Sequence, residues 1–202
     1  PRHTAPYSHH CSYHNGKARR WGDHRQVPLG LTEFKTARAK AERIIDALPN
    51  AAAVWKALAA VVNEMKVEAQ VKARGVGGGP KQWPLIAQVF NEATAKDIIC
   101  AAVGLALVGR EAPHRFVSDR AFFLTFGRKL YGLAPSHYGS STTKRGQARR
   151  ALKEKPPRTM EAVGRFFAES FAGIAVQVHE ALRKRQKGVE GLRQEALAAI
   201  RG

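Results

Sequence analysis

TAKDIICAAVGLALVG, residues Thr94 to Gly109, is apolar on nearly every side. Ile98, Ile99, Val103, Leu105, Ala106 and Val108 leave no polar face to meet water, and a helix of that kind belongs inside a protein or a bilayer. The unbroken apolar run, Ile98 to Val108, falls far short of the ~20 residues that a bilayer span requires. The segment is therefore expected to be the central buried helix of a water-exposed fold. Thr94 and Asp97 have the spacing of a capping box, with Asp in place of the usual Glu. Cys100 lies inside the run and reads as a small core residue.

Upstream, Leu31, Phe34, Ala41, Ile44 and Leu48 fall on one face at helical spacing, with Lys35, Arg38, Lys40 and Arg43 interleaved. Pro49 breaks this helix and Asn50 is placed to cap the next. That second helix carries Val54, Leu58, Val61, Val62 and Met65 and fades towards Gly75. Residues 75–84, GVGGGPKQWP, are too rich in glycine and proline for regular structure and read as a hinge. A short helix over Leu85 to Asn91 precedes the buried one.

Downstream, Ser118 is expected to cap a helix with the stripe Phe122, Phe123, Phe126, Leu130 and Leu133. Past Pro156 and Pro157, Thr159 opens the longest pattern, Met160, Val163, Phe166, Phe167, Phe171, Ile174, Val178 and Leu182, read as one helix of about seven turns. Gly188 separates a last short helix ending at Ile200. No period-two alternation reaches strand length. The sequence thus predicts an all-α fold, a compact helical domain over 31–202 with about seven or eight helices. Residues 1–30 lack a hydrophobic period and read as an irregular His/Arg-rich N-terminal arm.

The chain carries 34 Lys and Arg against 16 Asp and Glu, a formal +18. Self-repulsion of that size points to an anionic partner. The surplus is not spread evenly: residues 117–158 hold ten basic and two acidic residues, and residues 1–30 hold five and one. Within the basic segment at 140–158, a helix from about Ser141 or Thr142 to Glu154 would project Lys144, Arg145, Arg149, Arg150 and Lys153, with Lys155 and Arg158 following. Ser141, Thr142 and Thr143 would supply hydroxyls at its start, where free amides favour a phosphate. A phenylalanine-bearing helix, a turn and a basic helix loosely match a helix-turn-helix reader. Arg128, Lys129, Arg19, Arg20 and Lys81 complete the expected nucleic-acid contacts. Tyr131, His137 and Tyr138 lie near enough in sequence to stack on unpaired bases, although Tyr131 suits the core better.

Five of the eight histidines lie in the first 30 residues. His10, Cys11, His14 and His24 could complete a tetrahedral zinc site, although the paired CxxC of structural zinc modules is missing. Otherwise no cofactor is expected. Gly-rich residues 75–79 lack the preceding strand and the Gly-Lys-Ser/Thr ending of a nucleotide loop. No Ser/His/Asp set or paired carboxylates emerge. Two isolated cysteines fit a reducing, intracellular, cytoplasmic setting, and the polar first residues give no secretory leader pattern. The expected function is non-enzymatic binding of DNA or RNA. A subunit of a larger nucleoprotein assembly, in contact with other protein subunits, is the alternative; a small metal-dependent enzyme is a further one. No membrane partner is expected.

Overall fold

The apolar segment at Thr94 forms helix α5 (Ala95–Glu111), and nine of its residues, from Ile98 to Leu107, are buried. The computed structural model describes residues 11–75, 80–142 and 148–184, with 140–142 and 148–150 described as backbone only. Around α5 stand α1 (Ser12–Trp21), α2 (Leu31–Asp46), α3 (Ala51–Ala73), α4 (Gln82–Glu92), α6 (Asp119–Tyr131) and α7 (Pro157–Ser170), followed by further helical residues at 172–184. The fold is all-α, and α5 packs against α2, α3, α6 and α7. No helix among the described residues is long and apolar enough to cross a membrane.

Two helix contacts are made through glycine. At Gly127 of α6 an added Cβ would stand 2.1 Å from the Met160 carbonyl oxygen, and at Gly164 of α7 it would stand 1.8 Å from that of Phe123. The α6–α7 backbones therefore touch directly, and only hydrogen fits between them. Gly104 plays the same part between α5 and α2, where a Cβ would lie 2.7 Å from the Ala37 carbonyl oxygen.

Caps follow the sequence in part. Thr94 accepts from the Asp97 amide at 3.1 Å and Ser118 from the Ala121 amide at 3.2 Å. Asn50 does not cap with its side chain; it adopts the left-handed conformation, φ 56°, that turns the chain from α2 into α3. Asparagine tolerates this region better than most side chains. Helix α7 begins at Pro157, two residues before Thr159, because proline suits a first helical position. The expected seven-turn helix is also interrupted at Phe171, although the Phe171 amide still bonds the Phe167 carbonyl and the Ala175 amide bonds that of Phe171.

Two expectations are corrected. Residues 12–21 are helical, not an irregular arm. The chain after α1 turns at Gly22, φ 86°, where a Cβ would come within 2.9 Å of the Ala121 amide nitrogen. Gln26 is fully buried, donates to the Arg115 carbonyl at 3.1 Å and accepts from the Val117 amide at 3.0 Å. Arg115 holds the same segment through the Val27 and Pro28 carbonyls and forms a two-pronged pair with Glu33. Three polar anchors thus do what a hydrophobic period would have signalled.

The second correction concerns the basic segment. It is an antiparallel hairpin, β1 (Tyr138–Thr142) and β2 (Ala148–Leu152), with Ser141 opposite Arg149 and Ser140 opposite Arg150. A helix there would have placed Gly146 in its interior, at about 1 kcal/mol relative to alanine, and would have had no apolar stripe to bury. Without a basic helix the likeness to a helix-turn-helix reader also fails. The hinge read at 75–84 is shorter than expected, since α4 starts at Gln82; residues 76–79 lie outside the described residues, as does the expected helix ending at Ile200.

Candidate nucleic-acid interface

The hairpin is fixed at its base by a polar network that the sequence did not signal. His137 is 3% exposed and stacks on the ring of Tyr131 at 3.8 Å between centroids. Its Nδ1 lies 2.7 Å from the Tyr131 carbonyl oxygen and its Nε2 lies 2.8 Å from Gln88 Oε1. Gln88 and the Ser136 amide both donate to Glu92. Burial pulls the His137 imidazole below its usual value, against the Tyr131 carbonyl and Glu92, with Lys155 and Lys153 adding to the fall. Lys153 donates from Nζ to the Ser136 carbonyl at 3.1 Å. Neither Tyr131 nor His137 faces solvent, so both are removed from the set expected to stack on bases. Tyr138 donates to the Gly132 carbonyl.

Immediately after β2, Glu154 receives two arginines from elsewhere in the chain. Arg20, in the last turn of α1, pairs with it at 2.5 Å, and Arg128 of α6 stands 3.8 Å away. Both Arg20 and Glu154 are more than half exposed. The junction brings the end of α1, with Arg19 and Arg20, beside the base of the hairpin that carries Arg149 and Arg150. Lys155 and Arg158 follow Glu154 in the chain. The two most positive stretches of the sequence therefore meet at one carboxylate.

The other expected contacts have different settings. Arg128 has a side chain only 10% exposed, donates to the Arg20 carbonyl at 2.9 Å and lies over the Trp21 ring; burial pulls its guanidinium below the usual value. Lys129 lies over the Phe34 ring, and burial likewise lowers its ammonium. Arg128 thus packs α6 against α1, and Lys129 reaches from α6 to Phe34 of α2. Lys81 is exposed at the start of α4, away from the hairpin in sequence. Ser141 and Thr142 belong to β1. Thr143, Lys144 and Arg145 lie outside the described residues.

Of the histidine and cysteine set, Cys11 Sγ is 3.3 Å from His14 Nδ1, and the rings of His14 and His24 are 5.6 Å apart. His10 lies outside the described residues. Among the described residues no group of three or more His, Cys, Asp or Glu side chains is placed to hold a metal ion. Cys100 is buried in α5, where desolvation pushes its thiol up to about 11.

Comparison of the chain with protein-family models, with curated proteins and with solved structures returns no match.

Proposed function

We propose that the protein binds nucleic acid through its phosphate backbone, without catalysis, on the surface formed by the end of α1, the β1–β2 hairpin and residues 153–158. The observation that carries this reading is the junction at Glu154, which joins Arg20 to the foot of a hairpin far along the chain and leaves one exposed carboxylate among several cations. Lysine and arginine at such a surface gain affinity by releasing counterions from phosphates. A two-stranded antiparallel ribbon also fits the major groove of B-form DNA, about 12 Å wide, whereas the deep, narrow major groove of A-form RNA does not admit it. Duplex DNA is therefore the favoured form.

The test is fluorescence anisotropy with a labelled duplex between about 50 and 200 mM salt. Replacing Arg19, Arg20, Arg149 and Arg150 by alanine should weaken binding and flatten the logarithmic salt slope by roughly 0.9 for each phosphate that is no longer neutralised. An unchanged slope refutes this placement. Single-stranded DNA and duplex RNA of equal length form the other arms, and equal affinity for all three removes the preference for duplex DNA.

A second reading, a subunit of a larger assembly, is favoured by one feature. Val67 and Val71, four residues apart on α3, are 61% and 66% exposed. They give that helix an apolar outer patch suited to a neighbouring protein. Sedimentation with and without DNA separates the readings, since a DNA-dependent oligomer supports the second and a persistent monomer overturns it.

A further inference from the structure

We infer that a phosphodiester strand of the bound duplex crosses α1 at Gly16, where the missing side chain lets the helix backbone come close to the phosphates. The inference deepens the proposed nucleic-acid reading and rests on it. Glycine is the least favourable residue in a helix interior after proline, because its backbone loses the most freedom there. Two reasons internal to the chain could keep it at position 16, and neither applies. Among the described residues Gly22 is the one glycine with a positive φ, so Gly16 serves no special backbone conformation. A Cβ at Gly16 would meet no atom within 4 Å, so no neighbouring element takes up the room. At Gly104, Gly127 and Gly164, by contrast, packed backbone fills the place of the missing methyl group.

The surroundings of Gly16 identify the occupant. Helix α1 is seated by one face and by its end: Asn15, Ala18 and Trp21 are half-buried, Arg128 lies over the Trp21 ring, and the Arg20 carbonyl accepts from Arg128. Ser12, Tyr13, Gly16, Arg19 and Arg20 lie on the other face and are exposed. On a helix surface the neighbours of a residue stand three and four positions away, and those of Gly16 are Ser12, Tyr13, Arg19 and Arg20. An aliphatic hydroxyl, a phenol and two guanidiniums therefore frame the glycine. All four are side chains that donate to phosphate oxygens. Ser12–Trp21 contains Lys17, Arg19 and Arg20 and no acidic residue, so the charge of this face complements a polyanion.

The experiment uses the full chain with Gly16→Ala and Gly16→Leu, which leave every charge in place. Anisotropy with the labelled duplex is read between about 50 and 200 mM salt, with circular dichroism and thermal midpoints on the same samples. Both variants should keep or gain helix, and Gly16→Ala should raise the midpoint by up to about 4 °C. Duplex affinity should nonetheless fall, by about tenfold near 0.1 M salt for Gly16→Leu and by less for Gly16→Ala. The logarithmic salt slope should flatten by roughly 0.9 for each phosphate that Arg19 and Arg20 no longer reach, although no charge has been removed. Wild-type affinity and slope in Gly16→Leu overturn the inference and leave the nucleic-acid reading standing. A fall in affinity with an unchanged slope also overturns it, since the loss then lies outside the phosphate contacts. A wild type that does not bind the duplex overturns both.

Discussion

Glu154 is one carboxylate among cations, and its removal should act on two properties in opposite directions. Glu154→Gln frees Arg20 and adds one positive charge to the surface, so duplex binding at low salt should tighten several-fold with a steeper salt slope. The exposed Arg20–Glu154 pair is screened by water, and its loss should lower stability by no more than about 1 kcal/mol. Weaker binding in the anisotropy titration would count against the proposed surface. Tyr131 tests a different balance. It is fully buried, its hydroxyl has no hydrogen-bond partner among the described residues, and burial pushes its phenol up. Tyr131→Phe removes an unsatisfied group and should leave urea stability unchanged or raise it by up to about 1 kcal/mol; a larger loss would mean that the hydroxyl has a partner. For His137 the sign runs the other way. Its folded value lies below the unfolded ~6.5, so the folded state resists a proton that the unfolded chain accepts. Stability is fully present above pH ~6.5 and falls as the pH drops through the lowered folded value. Thermal midpoints measured between pH 8 and 5 should decline less steeply in His137→Phe, after allowing for its lower starting value.

At the scale of elements, the α6–α7 crossing is the contact least able to give. With backbone against backbone at Gly127 and Gly164, a methyl group cannot be absorbed by turning a side chain. Gly164→Ala should destabilise by about 3 kcal/mol or more in urea, whereas Gly16→Ala, with nothing within 4 Å, should not. Apolar periodicity made α2, α5 and α6 legible because burial of one face is what holds them. The hairpin was not legible, since its strands carry serine, threonine and arginine and its order comes from His137, Gln88 and Glu92 at the base. Helix α1 was hidden for a related reason: with no buried residue, it leaves no hydrophobic trace. The anchors of the segment that follows it, Gln26, Arg115 and Glu33, are polar and lie far apart in sequence. The concentration of charge in 117–158 was readable, but the surface that it forms with Arg20 was not, because nothing in the local pattern points to Glu154.

At the scale of the molecule, the end of α1, α6 and the residues after β2 meet at Glu154 through Arg20 and Arg128. Elsewhere several cations have carboxylate partners: Arg38 with Asp97, Lys40 with Glu111 and Lys96 with Glu42. On the proposed reading, such pairing leaves the surface around Glu154 as the side that an anionic polymer would meet. The seat of α1 also sets an order of events during translation. The Arg20 carbonyl is held by Arg128, 108 positions later. At about 5–20 residues per second, the ribosome needs on the order of ten seconds to add that much chain. Helix α1 thus leaves the exit tunnel well before its seat on α6 exists, and its docking must wait for the later chain.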